Sequence, residues 1–212
     1  MSTVIIGLGN IGSRLAKNLT VGGQKVIVAD RTPARAQKLS SELGGNAEAL
    51  PVTDAVDRAD VLVLAIQFEA IAEFIAQHRD RLAGKIIVDP SNPIAPDGKG
   101  GFKKIIPEDR SAGQTISTLL PAGARLVKAF GTLGAESLAS GANRSPQRAV
   151  LFYATDDPEA GEVVAKLIAA SGFSPVGVGG IDKSIRIEVG GDLHEFGKLG
   201  RLVSVSEAEA LI

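Results

Sequence analysis

Short apolar runs alternate with amphipathic segments from the first residues of the chain onward. Strands covered by helices on both faces read as continuous hydrophobic runs, so this alternation predicts βα units around a mostly parallel sheet. The candidate strands are Val4 to Gly7, Lys25 to Asp30, Val61 to Ile66, Lys85 to Asp89, Arg125 to Phe130, Arg148 to Ala154 and Ser174 to Val178. Between the first two, Ile11, Leu15 and Leu19 recur at a four-residue spacing, and Gly22-Gly23 supplies a stop. A second helix has Thr32 as its cap, Pro33 at its first position and Ala36, Leu39 and Leu43 as its inner stripe. A third carries Ile71, Phe74, Ile75, His78 and Leu82 on one side, with Gly84 as terminator. A fourth starts at Asp157-Pro158 and turns Val163, Val164, Leu167 and Ile168 inward. The stretch from Pro90 to about Arg110, with four prolines and Gly98-Lys99-Gly100-Gly101, reads as one long irregular loop of the kind that is functional or mobile.

One motif stands in the right place for chemistry. Gly7-Leu8-Gly9-Asn10-Ile11-Gly12 follows the first strand, opens the first helix and leads to a second strand ending in Asp30. In a GxGxxG turn the first glycine allows the tight bend, the second lets backbone approach a pyrophosphate, and the third permits close packing of helix on strand. The helix N-terminus then offers unpaired N–H groups and positive dipole to phosphates. A lone GxGxxG in a chain with 25 glycines would say little; with strand, helix and acidic residue all in place it points to a dinucleotide. Asp30 favours NAD by accepting from the adenosine ribose hydroxyls, whereas Arg31, Thr32 and Arg35 favour NADP by holding a 2′-phosphate. The residues alone leave that choice open.

The second ligand is expected at the carboxyl ends of the strands, where Ala65-Ile66-Gln67-Phe68, Pro90-Ser91-Asn92-Pro93-Ile94 and Ala129-Phe130-Gly131-Thr132 emerge. These segments hold few proton carriers. His78 falls mid-helix and reads as a packed histidine, while His194 is the candidate acid, against a surface or interface role. Lys99, Lys103, Lys104 and Arg110 make the long loop locally basic: either a solvated flap or a clamp for an anionic ligand.

Composition narrows the classes further. Lys plus Arg is 23 against 24 for Asp plus Glu, a net charge of −1, so nucleic-acid and anionic-membrane partners are not expected. The absence of Cys removes disulfides, thiolate metal sites and a Cys nucleophile, and two histidines without further ligands predict no metal. The longest apolar run, Val61 to Ile66, is far too short to span a bilayer, so a soluble, cytoplasmic protein is expected. A short-chain dehydrogenase needs a Lys four residues after its Tyr, but Tyr153 is followed at that distance by Asp157. A carbonyl reductase needs an acid for the developing alkoxide. An acceptor that is already a conjugated ring needs mainly stacking and orientation beside the nicotinamide.

These features resemble the family of NADP oxidoreductases that use the deazaflavin coenzyme F420. The resemblance is carried by Gly7 to Gly12, by Ile87-Val88-Asp89-Pro90-Ser91-Asn92-Pro93, by Gly98-Lys99-Gly100-Gly101-Phe102 and by Leu126-Val127-Lys128-Ala129-Phe130-Gly131-Thr132-Leu133. It implies a doubly wound NAD(P)-binding domain over residues 1–130, a small C-terminal lobe over 131–212 completing the substrate cleft, and a homodimer. The same fold serves in membrane ferric reductases. By resemblance, Gly9, Asn10 and Ile11 face the pyrophosphate, Arg31 and Thr32 the adenosine phosphate, and Ala65, Ile66 and Gln67 the path to the nicotinamide. Asn92, Pro93, Ile94 and Phe130 would then form the cleft where the rings stack, with His194 at its edge. Asp30 and Gly131 depart from the family, which has a small residue and commonly an Asn at those positions. The expected activity is hydride transfer between NADP(H), or alternatively NAD(H), and a deazaflavin or FMN. A sensor that binds the dinucleotide without turnover, and an imine or small carbonyl reductase using His194 or a bound water as its acid, are the alternatives.

Overall fold

The computed structural model describes all 212 residues, Met1–Ile212. The strands are β1 (Thr3–Ile6), β2 (Val26–Ala29), β3 (Ala47–Ala49), β4 (Val61–Leu64), β5 (Ile86–Asp89), β6 (Ile94–Pro96), β7 (Phe102–Lys104), β8 (Arg125–Ala129), β9 (Val150–Ala154) and β10 (Ser174–Gly177). The helices are α1 (Asn10–Val21), α2 (Pro33–Leu43), α3 (Val52–Arg58), α4 (Phe68–His78), α5 (Ala112–Ser117), α6 (Ala135–Ser140), α7 (Pro158–Ala170) and α8 (Val205–Glu209). All seven expected strands are present. Eight strands form one sheet in the order β10-β9-β8-β5-β4-β1-β2-β3, parallel throughout except where β9 runs antiparallel to β8.

The apolar strands are buried on both faces for the expected reason. Ile5, Val28, Val63, Val88 and Val127 point to one face, where α1, α7 and Ala36 of α2 cover them. Their neighbours Val4, Ile6, Ile27, Leu62, Leu64 and Ile87 point to the other, under α3, α4 and α5. This is a doubly wound α/β fold, and its strand order reverses between β1 and β4. A crevice opens above the carboxyl ends of strands at such a reversal.

The stretch 90–110 is not irregular. It folds into an antiparallel β6–β7 hairpin, in which Ile94 pairs with Lys104 and Pro96 with Phe102. Its tip closes on Asp97, whose Oδ1 accepts from the N–H groups of Lys99 at 2.7 Å and Gly101 at 2.9 Å. Those two bonds hold the Asp97 carboxyl below its ordinary range.

Candidate functional site

Each glycine of the motif does a separate job. Gly7 has φ of +89°, and a side chain there would meet the Ala65 carbonyl oxygen at 2.6 Å, so only glycine makes this bend. Gly12 brings α1 so close to the loop that a Cβ would stand 1.9 Å from the Gly7 oxygen. Gly9 is the opposite case, because a Cβ there meets nothing within 4 Å. Gly9 is also the N-cap of α1 and offers no capping side chain, and the first turn of that helix contains no acidic residue. Open space therefore lies over uncapped helix N–H groups, a cradle suited to a pyrophosphate.

Two cavities flank that cradle and share Gly9, Ala65, Ile66 and Gln67 in their linings. The larger, about 690 Å³, runs from Leu8, Asp30, Arg31 and Arg35 along Val52 and Thr53 to Phe74 and His78. Its lining combines the charged Asp30, Arg31 and Arg35 with apolar side chains such as Val52 and Phe74. Asp30 is buried and turned inward: its Oδ2 accepts from the Leu8 N–H and its Oδ1 from the Thr32 N–H, each at 2.9 Å. Arg35 stands 3.6 Å from the same carboxylate. Asp30 thus ties the phosphate loop to the start of α2. Thr32 is the N-cap of α2 as expected, but its side chain makes no capping bond. Arg31 is exposed at the cavity rim. His78 packs against Phe74, ring centroids 4.6 Å apart, and burial pushes its imidazole below the ordinary range.

The second cavity, about 500 Å³, lies beyond Gly9 and is lined by Asn10, Ile11, Phe68, Ser91, Asn92, and Ile94 to Pro96 of the hairpin, among others. Of the residues expected around the second ligand, Asn92 and Ile94 line it. Pro93, Phe130 and His194 do not. Phe130 has φ of +65° and is fully buried within the main hydrophobic cluster, so it packs the core and makes no stacking surface. The Asn92 amide is a strut: its Nδ2 donates to the Gly131 carbonyl at 3.0 Å and its Oδ1 accepts from the Val189 N–H at 2.7 Å. Gly131 leaves no room for a side chain, since a Cβ there would lie 2.5 Å from the Pro90 oxygen.

Beneath this cavity lies a charged cluster. Lys128, in the middle of β8, is 1% exposed and pairs with Asp89 at 2.7 Å and Glu188 at 3.7 Å, while also donating to the Ser91 carbonyl. Glu188 accepts from the N–H groups of Ala112 at 2.8 Å and Gly113 at 3.1 Å. Burial pushes the Glu188 carboxyl up, against the pull of Lys128. A lysine inside the apolar run Leu126-Val127-Lys128-Ala129 is the sequence signal for such a cluster, because a buried ammonium requires partners. Which partners it takes is a matter of the fold.

His194 is buried with both ring nitrogens engaged. Its Nε2 lies 2.9 Å from the Gly131 carbonyl and so carries the proton, and its Nδ1 accepts from the Phe196 N–H at 2.8 Å. Burial lowers it to about 4. An unfolded histidine titrates near ~6.5, so as pH falls from about 6.5 to about 4 the unfolded chain gains a proton that the folded protein refuses. Stability is therefore complete above that window and is lost through it, by roughly 3 kcal/mol from this residue. A His194→Gln variant should show a shallower acid limb in a series of melting temperatures across this range. Equally steep limbs in both proteins would contradict the buried neutral imidazole.

The doubly wound sheet, the glycine cradle and the two cavities over its switch point define a Rossmann-type NAD(P)-dependent oxidoreductase. Residues 2–93 match the family described as NADP oxidoreductase, coenzyme F420-dependent. That match spans 92 of the 212 residues, from β1 to the segment just after β5. It is 29% identical to the F420-dependent NADP reductase of Methanothermobacter thermautotrophicus over 195 residues, covering 87% of this chain and 83% of that one. It is also 31% identical over 184 residues to metalloreductase STEAP3 of Rattus norvegicus, covering 87% of this chain but only 35% of that much longer protein. Among solved structures, a hypothetical protein, SMa0349, from Sinorhizobium meliloti superposes with a TM-score of 0.84 at 33% identity, covering 96% of both chains. No helix is long and apolar enough to cross a membrane.

Proposed function

We propose that the protein transfers hydride between NADP(H) and a flat conjugated ring, a deazaflavin such as coenzyme F420 or a flavin such as FMN. The observation that carries this reading is the make-up of the cavity beyond Gly9. Its lining includes no His, Lys, Arg or Tyr, and its one titratable residue, Glu69, is exposed at the rim. Reducing a carbonyl or imine calls for a placed proton donor, whereas a ring acceptor needs orientation against the nicotinamide. His194 supplies no such donor in the arrangement seen, because both of its nitrogens are bonded to backbone. The nicotinamide, when bound, supplies the hydride; the chain's own residues bind, orient and exclude water.

NADP(H) is favoured over NAD(H) by the inward turn of Asp30 and by the free side chains of Arg31 and Thr32 beside it. The β6–β7 hairpin, which borders the second cavity through Ile94 to Pro96, carries Lys99, Lys103 and Lys104 and suits an acceptor with an anionic tail. In this reading residues 131–212 brace the floor of the cleft through Glu188 and Val189, and two copies form the working dimer. Arg31→Ala tests the cofactor assignment. NADPH binding should weaken roughly ten- to a hundredfold, as for loss of a charged hydrogen bond, with NADH binding unchanged. Equal losses for both cofactors would contradict a 2′-phosphate contact at Arg31.

A further inference from the structure

Ser91 carries the one buried side-chain polar atom in the protein that lacks a hydrogen-bond partner. The residue is 7% exposed and lines the cavity beyond Gly9. Its backbone, by contrast, is held on both sides. The Ser91 N–H donates to Asp89 Oδ1 at 2.8 Å, its carbonyl accepts from Lys128 Nζ, and Lys128 closes the ring on Asp89 Oδ2 at 2.7 Å. A fully buried ion cluster therefore fixes the position of a hydroxyl that nothing in the protein satisfies. Buried hydroxyls are nearly always paired, and an unpaired one is destabilising, so the exception asks for a partner from outside the chain.

The position of the cavity says which partner. The cradle over Gly9 separates it from the adenosine cavity with Arg31, so the half of a dinucleotide beyond the pyrophosphate falls here. The walls on that side are Ile11, Ile66, Phe68, Ile94 and Pro96, and the Asn92 amide is already committed to Gly131 and Val189. The hydride-carrying ring bears a single polar group, its carboxamide. We infer that the Ser91 hydroxyl is the hydrogen-bonding contact that receives the nicotinamide carboxamide and sets the face the ring presents to the acceptor. This rests on the dinucleotide reading above.

Titration calorimetry of the wild-type protein and Ser91→Ala tests it, using NADPH and, in parallel, 2′,5′-ADP, which has the adenosine and its phosphates but no nicotinamide. Thermal melting without ligand is recorded for both proteins. Loss of one neutral hydrogen bond should weaken NADPH about three- to tenfold and leave 2′,5′-ADP unchanged. Removing an unsatisfied buried hydroxyl should leave the ligand-free melting temperature equal or higher. Unchanged NADPH affinity would overturn the inference, including the case where only the KM of the acceptor rises, because the hydroxyl would then face the other ring. Parallel weakening of both ligands with a lower melting temperature would overturn it too, since Ser91 would then merely hold the loop. If wild-type protein binds neither ligand, it is the dinucleotide reading itself that fails, a result distinct from all of these.

Discussion

Gly9→Asp is expected to lose NADPH binding by at least about a hundredfold while the protein stays folded. The side chain has room, because a Cβ at Gly9 meets nothing within 4 Å. In the proposed binding mode, the room it takes is the pyrophosphate's. A carboxylate placed there occupies the uncapped N–H groups of α1 and repels the phosphates, two charge effects that each reach 1–3 kcal/mol or so in a partly shielded site. Far-ultraviolet circular dichroism and the melting temperature should match wild type within a few degrees. Gly12→Ala gives the contrast: its Cβ would lie 1.9 Å from the Gly7 oxygen, so the helix must move and stability falls. Undiminished NADPH affinity in Gly9→Asp would remove the cradle from the account.

Lys128→Met should produce the largest loss of stability of any single change near the site. It leaves the carboxylates of Asp89 and Glu188, 0% and 2% exposed, without the ammonium that both face. Breaking a buried ion pair from one side typically costs about 3–5 kcal/mol. For a chain of this size that lowers the melting temperature by roughly 6–20 °C. The deficit has a pH signature. Burial already raises the Glu188 carboxyl, and losing Lys128 removes the main influence lowering it. The folded variant then takes up a proton at higher pH than the unfolded chain does, so its stability recovers as pH falls from neutral toward the ordinary carboxylate range. Adding Glu188→Gln should restore part of the loss at pH 7. A melting temperature within a degree of wild type would show that the cluster does not hold the floor of the cleft.

The contrast between these two sites shows how much could be read without a structure. The bend at Gly7 and the close packing at Gly12 follow from fixed offsets along the chain and each is met by a local geometric fact, while at Gly9 the structure shows open space. The seven main strands were legible because burial on both faces writes an unbroken apolar run. Lys128 passed unread within an apolar strand, and its partners could not have been named in any case, since Asp89 is 39 residues away and Glu188 lies on a segment that no periodicity singles out. Phe130 misled for a different reason. It ends a strand on the ligand side, yet a left-handed backbone at that one residue returns its ring to the core. The β6–β7 hairpin left no pattern because its strands are three residues long and rich in breakers around a tip built on Gly98 and Gly100, both at positive φ. Ser91 was in view as part of a loop and became informative only when every other buried side-chain polar atom proved to be paired.

Direct hydride exchange in this cleft is tested most directly with NADPH deuterated at both C4 positions, mixed anaerobically in a single turnover with a deazaflavin of the coenzyme F420 type and, separately, with FMN. The account predicts that NADPH is oxidised faster than NADH with one of the two rings, and that with the deazaflavin one deuterium arrives on its C5 carbon. Failure of both rings to oxidise NADPH, or oxidation that leaves no deuterium on the deazaflavin, would contradict it.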